Sequence, residues 1–136
     1  MIKIEDLKIG EQRQFQIKID EKEQKDFEEL SGDQSPVHTD DKFAQTAGFE
    51  KKIAYAFHLL GYLSQFYGHY LPGGNSICLQ QKAKFLRPIY LGEVITICGT
   101  VVAINQNLKI VTIKNEIFNA KGELCLLGEG IVKIIT

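Results

Sequence analysis

The chain carries almost no net charge: 16 Lys and Arg face 17 Asp and Glu, leaving −1. Without a basic field there is nothing general to hold a nucleic-acid backbone, so nucleic acid is not expected as a partner. Cysteine is scarce and odd in number, and Cys78, Cys98 and Cys125 cannot all pair within one chain. Each is flanked by apolar, strand-like residues, which reads as buried free thiols in a reducing compartment. Met1 to Gly10 lacks the apolar core of a signal peptide, so the expected location is cytoplasmic. Histidine is also rare. His58 and His69 lie eleven apart and show no ligand spacing with His38, so no metal site is expected. No repeat, low-complexity tract or linker interrupts the sequence. Its 136 residues suit one core better than two, so one domain over residues 1–136 is expected.

What is present is a soluble balance, 44% hydrophobic and 24% charged. Ile53 to Leu71 contains no Asp, Glu, Lys or Arg, a length that could span a bilayer. It also contains His58, Gly61, Ser64, Gln65, Gly68 and His69, and it stops at the turn signal Pro72-Gly73-Gly74-Asn75. A helix buried on nearly all sides of a soluble protein fits better than a membrane span.

Phe15, Ile17 and Ile19 alternate with polar residues, the period of a half-buried strand over Glu11 to Asp20. Asp20 is placed to cap a short polar helix, Glu21 to Leu30. Ser31 to His38 reads as a loop, and Thr39 as the cap of a second short helix carrying Phe43 and Ala44. A long helix is predicted from about Ala54 to Tyr70. Four strands follow: Ser76 to Phe85, Glu93 to Ile104, Leu108 to Asn119 and Glu123 to Ile135. Short turns between them imply an antiparallel sheet, and a lone apolar helix is buried only if that sheet curls around it. The free edge and uncovered face of such an α+β layer call for a homodimer.

The chemistry concentrates in Ser31-Gly32-Asp33-Gln34-Ser35-Pro36-Val37-His38. On a helix, Asp33 and His38 would point well apart, at about 100° per residue. On a loop tightened by Gly32 and Pro36 their side chains can converge, and a carboxylate beside an imidazole can hold one water and relay its proton. From spacing alone, the alternative stays open that Asp33 makes an Asx-turn and His38 is a surface histidine.

The segment from Phe27 to Ala44 resembles the signature of the MaoC-like, (R)-specific enoyl-CoA hydratases. That pattern is an aromatic and an aliphatic residue, then Ser-Gly-Asp-x-Asn-Pro-aliphatic-His, with Ser35 standing here for Asn. The likeness continues through Phe49-Glu50, the long helix with Ser64, Leu71-Pro72-Gly73, and Phe85-Leu86-Arg87-Pro88 to Gly92-Glu93. The resemblance implies a hot-dog fold, usually dimeric, with Asp33 and His38 as the catalytic acid–base pair. The implied reaction is syn hydration of a trans-2-enoyl thioester to the (R)-3-hydroxyacyl thioester, or the reverse, with no metal or redox cofactor. CoA or acyl carrier protein enters only as part of the substrate. The start of the long helix, at Ala56, would supply an N–H to the thioester oxygen. Ser64 matches a pocket serine of the family, and without an adjacent base it is no nucleophile. Where the family commonly reads His-Gly, this chain has Tyr55-Ala56; Tyr55 reads as a pocket wall, a ring bonded to substrate, or a core aromatic. Lys82, Lys84 and Arg87 read as a solvated face or as neighbours of CoA phosphates. The competing functions are a thioesterase on the same fold and a non-catalytic acyl-thioester-binding homologue.

Overall fold

The computed structural model describes residues 2–136. After a 3₁₀ turn at Ile4–Asp6, strand β1 (Gln12–Lys18) buries Phe15 and turns its glutamines outward, as alternation requires. Three helices follow: α1 (Glu21–Ser31), α2 (Pro36–Thr39) and α3 (Asp41–Thr46). Helix α4 (Ala56–Gln65) widens into a π turn at Phe66–Tyr70. The chain ends in strands β2 (Ser76–Phe85), β3 (Val94–Asn105), β4 (Ile110–Phe118) and β5 (Leu124–Ile134).

The strands form one antiparallel sheet in the order β1-β3-β4-β5-β2. Ile97, Val101, Ile113, Ile117 and Leu126 turn one face of it into a fully buried layer. Leu59, Tyr62 and Leu63 of α4 and then Phe66 complete the same core, the expected hot-dog arrangement. Close approach depends on a missing side chain: a Cβ on Gly99 of β3 would fall 2.3 Å from two ring carbons of Phe66.

Four expectations change. The long helix is buried on one face only, with Phe57 71% exposed, because the sheet covers only the side that faces it. Among the described residues, no helix is long and apolar enough to cross a membrane. Cys98 and Cys125 are buried free thiols, but Cys78 is exposed. It lies on the edge strand beside a bulge between Cys78 and Gln80, and its apolar neighbours Ile77 and Leu79 are exposed with it. Helix α3 is capped by Asp40, whose carboxylate accepts from the N–H groups of Lys42 and Phe43, while Thr39 closes α2. His38 sits within α2, a single helical turn that Pro36 starts at its first position, where its missing N–H costs nothing.

Candidate active site

The site is built on the long segment between the sheet's two edge strands. Asp20 caps α1 by accepting from the N–H of Glu23, as its position implies. Gly32 ends the helix in the left-handed region, at φ 74°, and swings the chain into the Asp33 turn. There the Asp33 Oδ1 accepts from both the backbone N–H of Ser35 (2.9 Å) and the Ser35 hydroxyl. This is an Asx-turn. Ser35, standing where the family pattern has Asn, braces the carboxylate with its own hydroxyl. Those bonds, the hydroxyl's first, hold the Asp33 carboxyl below the usual carboxylate range, and the nearby His38 adds to the effect. Both donors fall on Oδ1, so Oδ2 is left for a further partner.

His38 is held from the other side. Its Nδ1 lies 2.9 Å from the carbonyl oxygen of Ile53. A carbonyl oxygen only accepts, so Nδ1 carries the hydrogen and Nε2 presents a bare lone pair in the neutral ring. The N–H of Ile53 in turn donates to the carbonyl of Val37 (3.1 Å), stitching this segment to α2. The face of the His38 ring stacks on Tyr55, with centroids 4.1 Å apart. Tyr55 packs against Phe27, whose other neighbour is His58.

Asp33 and His38 line one cavity of about 380 Å³ with Phe49, Ala56, Phe57 and Leu59 on one side and Phe85 to Ile89 on the other. Apolar walls with two convergent polar groups make a site for an acyl group carrying one reactive polar end. Ala56 is the first residue of α4, and Tyr55 caps the helix with no side-chain bond. The first-turn N–H groups, Ala56's included, therefore have no intrahelical acceptor and carry the positive end of the helix dipole. The other named residues are placed differently. Tyr55 is buried behind the pair, and its hydroxyl donates to the backbone carbonyl of Asp33. Ser64 lies eight residues along α4 from Ala56, about 12 Å at helical rise. It lines a second cavity of about 280 Å³ with Leu60, Tyr67, Ser76 and Gln81. Arg87 reaches the first cavity's wall but pairs with Glu123 at 3.5 Å. Among the described residues, no three His, Cys, Asp or Glu side chains cluster as metal ligands do.

Sequence reasoning missed Ile53 as the acceptor for His38, because a backbone carbonyl leaves no trace in residue type. It also missed the brace from Ser35, which the Asx-turn reading of Asp33 could have supplied.

Comparison with known proteins agrees with this geometry. The "MaoC like domain" family matches residues 6–120. An (R)-specific enoyl-CoA hydratase of Aeromonas caviae is 33% identical over 128 residues, covering 94% of this chain and 96% of that protein. The (R)-specific enoyl-CoA hydratase of Rhodospirillum rubrum is 32% identical, covering 96% and 90%. The solved (R)-hydratase of Aeromonas caviae superimposes with a TM-score of 0.90 at 33% identity over 94% of this chain and 97% of that one. An R-hydratase of Pseudomonas aeruginosa in its unliganded form gives 0.91 at 28% identity, over 98% and 85%. With the fold, the loop motif and its geometry in agreement, the chain belongs to the MaoC-like domain family.

Proposed function

We propose that the protein catalyses (R)-specific hydration of trans-2-enoyl thioesters, or the reverse dehydration, with Asp33 and His38 as its acid–base pair. The observation that carries this reading is the complementary state of the two groups. An ionised Asp33 with a free Oδ2 and a His38 with a bare Nε2 share a cavity with the start of α4. Two acceptors facing one space fit a single water, which donates one hydrogen to each.

In the proposed step the water oxygen bonds to Cβ while His38 Nε2 takes its proton. The C=C electrons move to Cα and the thioester oxygen, where negative charge gathers. The N–H of Ala56 donates to that oxygen, aided by the helix dipole. Asp33 Oδ2 holds the water and then stabilises the imidazolium. His38 returns the same proton to Cα on the same face, so hydroxyl and hydrogen both come from one water and the addition is syn. The thioester stays intact, and the step calls on no metal or redox cofactor. Tyr55 serves as a wall behind the pair, and Ser64 lines a further binding surface for substrate. CoA or acyl carrier protein is the thiol portion of the substrate.

The same reading includes a homodimer in the cytoplasm. Phe57 on α4 and Ile77, Leu79, Phe85 and Leu86 on or next to the edge strand β2 expose apolar surface that a second copy would cover. Light scattering at micromolar concentration should give twice 15.4 kDa, and a mass near 15.4 kDa would refute the dimer. The activity test is incubation with crotonyl-CoA, following loss of the conjugated enoyl absorbance, with chiral analysis of the product. The (R)-3-hydroxy thioester is expected. An (S) product would overturn the stereochemistry, and free thiol would point to a thioesterase.

A further inference from the structure

We infer that Gln24 is a positioning residue that locks the tautomer and aim of the His38 imidazole. Gln24 stands in the first turn of α1 among Glu21, Lys22, Glu23, Lys25 and Asp26, yet it is 3% exposed and is the one buried residue of that helix. Its side-chain nitrogen donates to two backbone carbonyls, His38 O at 3.0 Å and Ile53 O at 2.9 Å. Both partners are acceptors, so only the NH₂ end of the amide can face them, and the orientation of the group is settled by chemistry. The Ile53 oxygen is the same atom that accepts from His38 Nδ1 at 2.9 Å. One carbonyl thus holds two N–H groups and fills both lone pairs.

The amide therefore ties together the backbone of His38 and the acceptor of the His38 ring. Fixing both ends fixes the ring between them. Without the NH₂, two converging carbonyls would face each other with no hydrogen between. Their repulsion would draw α2 away from Ile53 and stretch the bond to Nδ1. A histidine released from such a bond is free to carry its proton on Nε2. In that tautomer Nε2 cannot accept a proton from water, although the residue itself is unchanged. Gln24 does not line the cavity that Asp33 and His38 share, so it acts through His38.

The mechanistic half of this inference rests on the proposed function; the structural half does not, and the test separates them. Gln24→Met keeps the length and volume of the side chain and removes both hydrogens. With ¹⁵N-labelled histidine, the wild-type His38 should show a protonated Nδ1 and a bare Nε2, and Gln24→Met should populate the Nε2–H form. Turnover of crotonyl-CoA should fall about tenfold in kcat with little change in KM, the signature of a base held out of its reactive state. Gln24→Asn keeps the amide one methylene short of spanning both carbonyls and should show the same tautomer shift to a lesser degree, so it also serves if Gln24→Met does not fold. An unchanged His38 tautomer in a folded variant would overturn the inference. A shifted tautomer with full kcat would uphold the lock and refute His38 as the base.

Discussion

The meander β3–β5 and the segment 21–56 differ in what holds them. The meander is held by backbone ladders and by side chains meeting side chains: Ile97, Ile113, Ile117 and Leu126 are fully buried on alternating positions. The segment 21–56 buries only Gln24, Ala44, Ala54 and Tyr55. Side chains grasping backbone hold it instead: Gln24 on His38 and Ile53, His38 on Ile53, Asp33 on Ser35, and Tyr55 on Asp33. Apolar burial is non-directional and tolerates exchange of similar residues, whereas each of these bonds specifies one donor and one acceptor. The scaffold stores stability and the segment stores orientation.

Substitutions can set these two roles against each other. The largest effect should come from the pair itself: Asp33→Asn and His38→Gln are each expected to cut hydration at least about a hundredfold. Both should melt close to the parent, since neither is part of the core; near-parental turnover in either purified variant would end the assignment. Ile117→Ala should do the opposite, costing about 2–5 kcal/mol of stability for the cavity it leaves. Denaturant titration measures that loss, and kcat per folded molecule should hold. A lowered kcat would mean that scaffold and site are not separable.

Smaller effects sharpen the contrast. Ser35→Ala removes the hydroxyl that most depresses the Asp33 carboxyl, leaving only the backbone donor. The carboxyl then rises toward its ordinary value, so the acid limb of kcat/KM should move to higher pH. The sign follows from the depressed state: an ionised Asp33 is favoured in the folded chain, and protonation on acidification removes that advantage. An acid limb that stays put would detach Asp33 from the rate. The smallest change is expected from Ala56→Gly, which keeps the N–H and removes one methyl. It should lower stability by roughly 1 kcal/mol and alter kcat/KM by less than about tenfold. A gain of about a hundredfold would show that the methyl blocks the thioester.

The same division explains what could be read from residues alone. Period 2 placed the strand of Phe15, and apolar, β-branched runs bounded by turn residues placed the four later strands, all within a residue or two. The motif located Asp33 and His38, which the structure places on one cavity wall. In sequence, Gln24 looks like one more polar residue on a charged helix, and nothing in its type marks it as buried. Residue type leaves three roles open for Tyr55, and its contact with the Asp33 carbonyl depends on a loop path that pattern does not encode. Cys78 misled because its apolar flanks look the same on an edge strand as on a central one.

The strand order carries a consequence for how the molecule comes into being. β3, β4 and β5 join through short turns and can pair as soon as they meet, while β1 must close on β3 across some eighty residues, with Gln12 opposite Thr100. β2 likewise waits for β5, the last strand made. The segment 21–56, which carries Asp33 and His38, is slung between those two late-arriving strands, at opposite borders of the sheet. On refolding, the circular-dichroism signal of the sheet should therefore recover before turnover does. On the ribosome, the segment that carries Asp33 and His38 emerges before strands β2 to β5 and is fixed in place last.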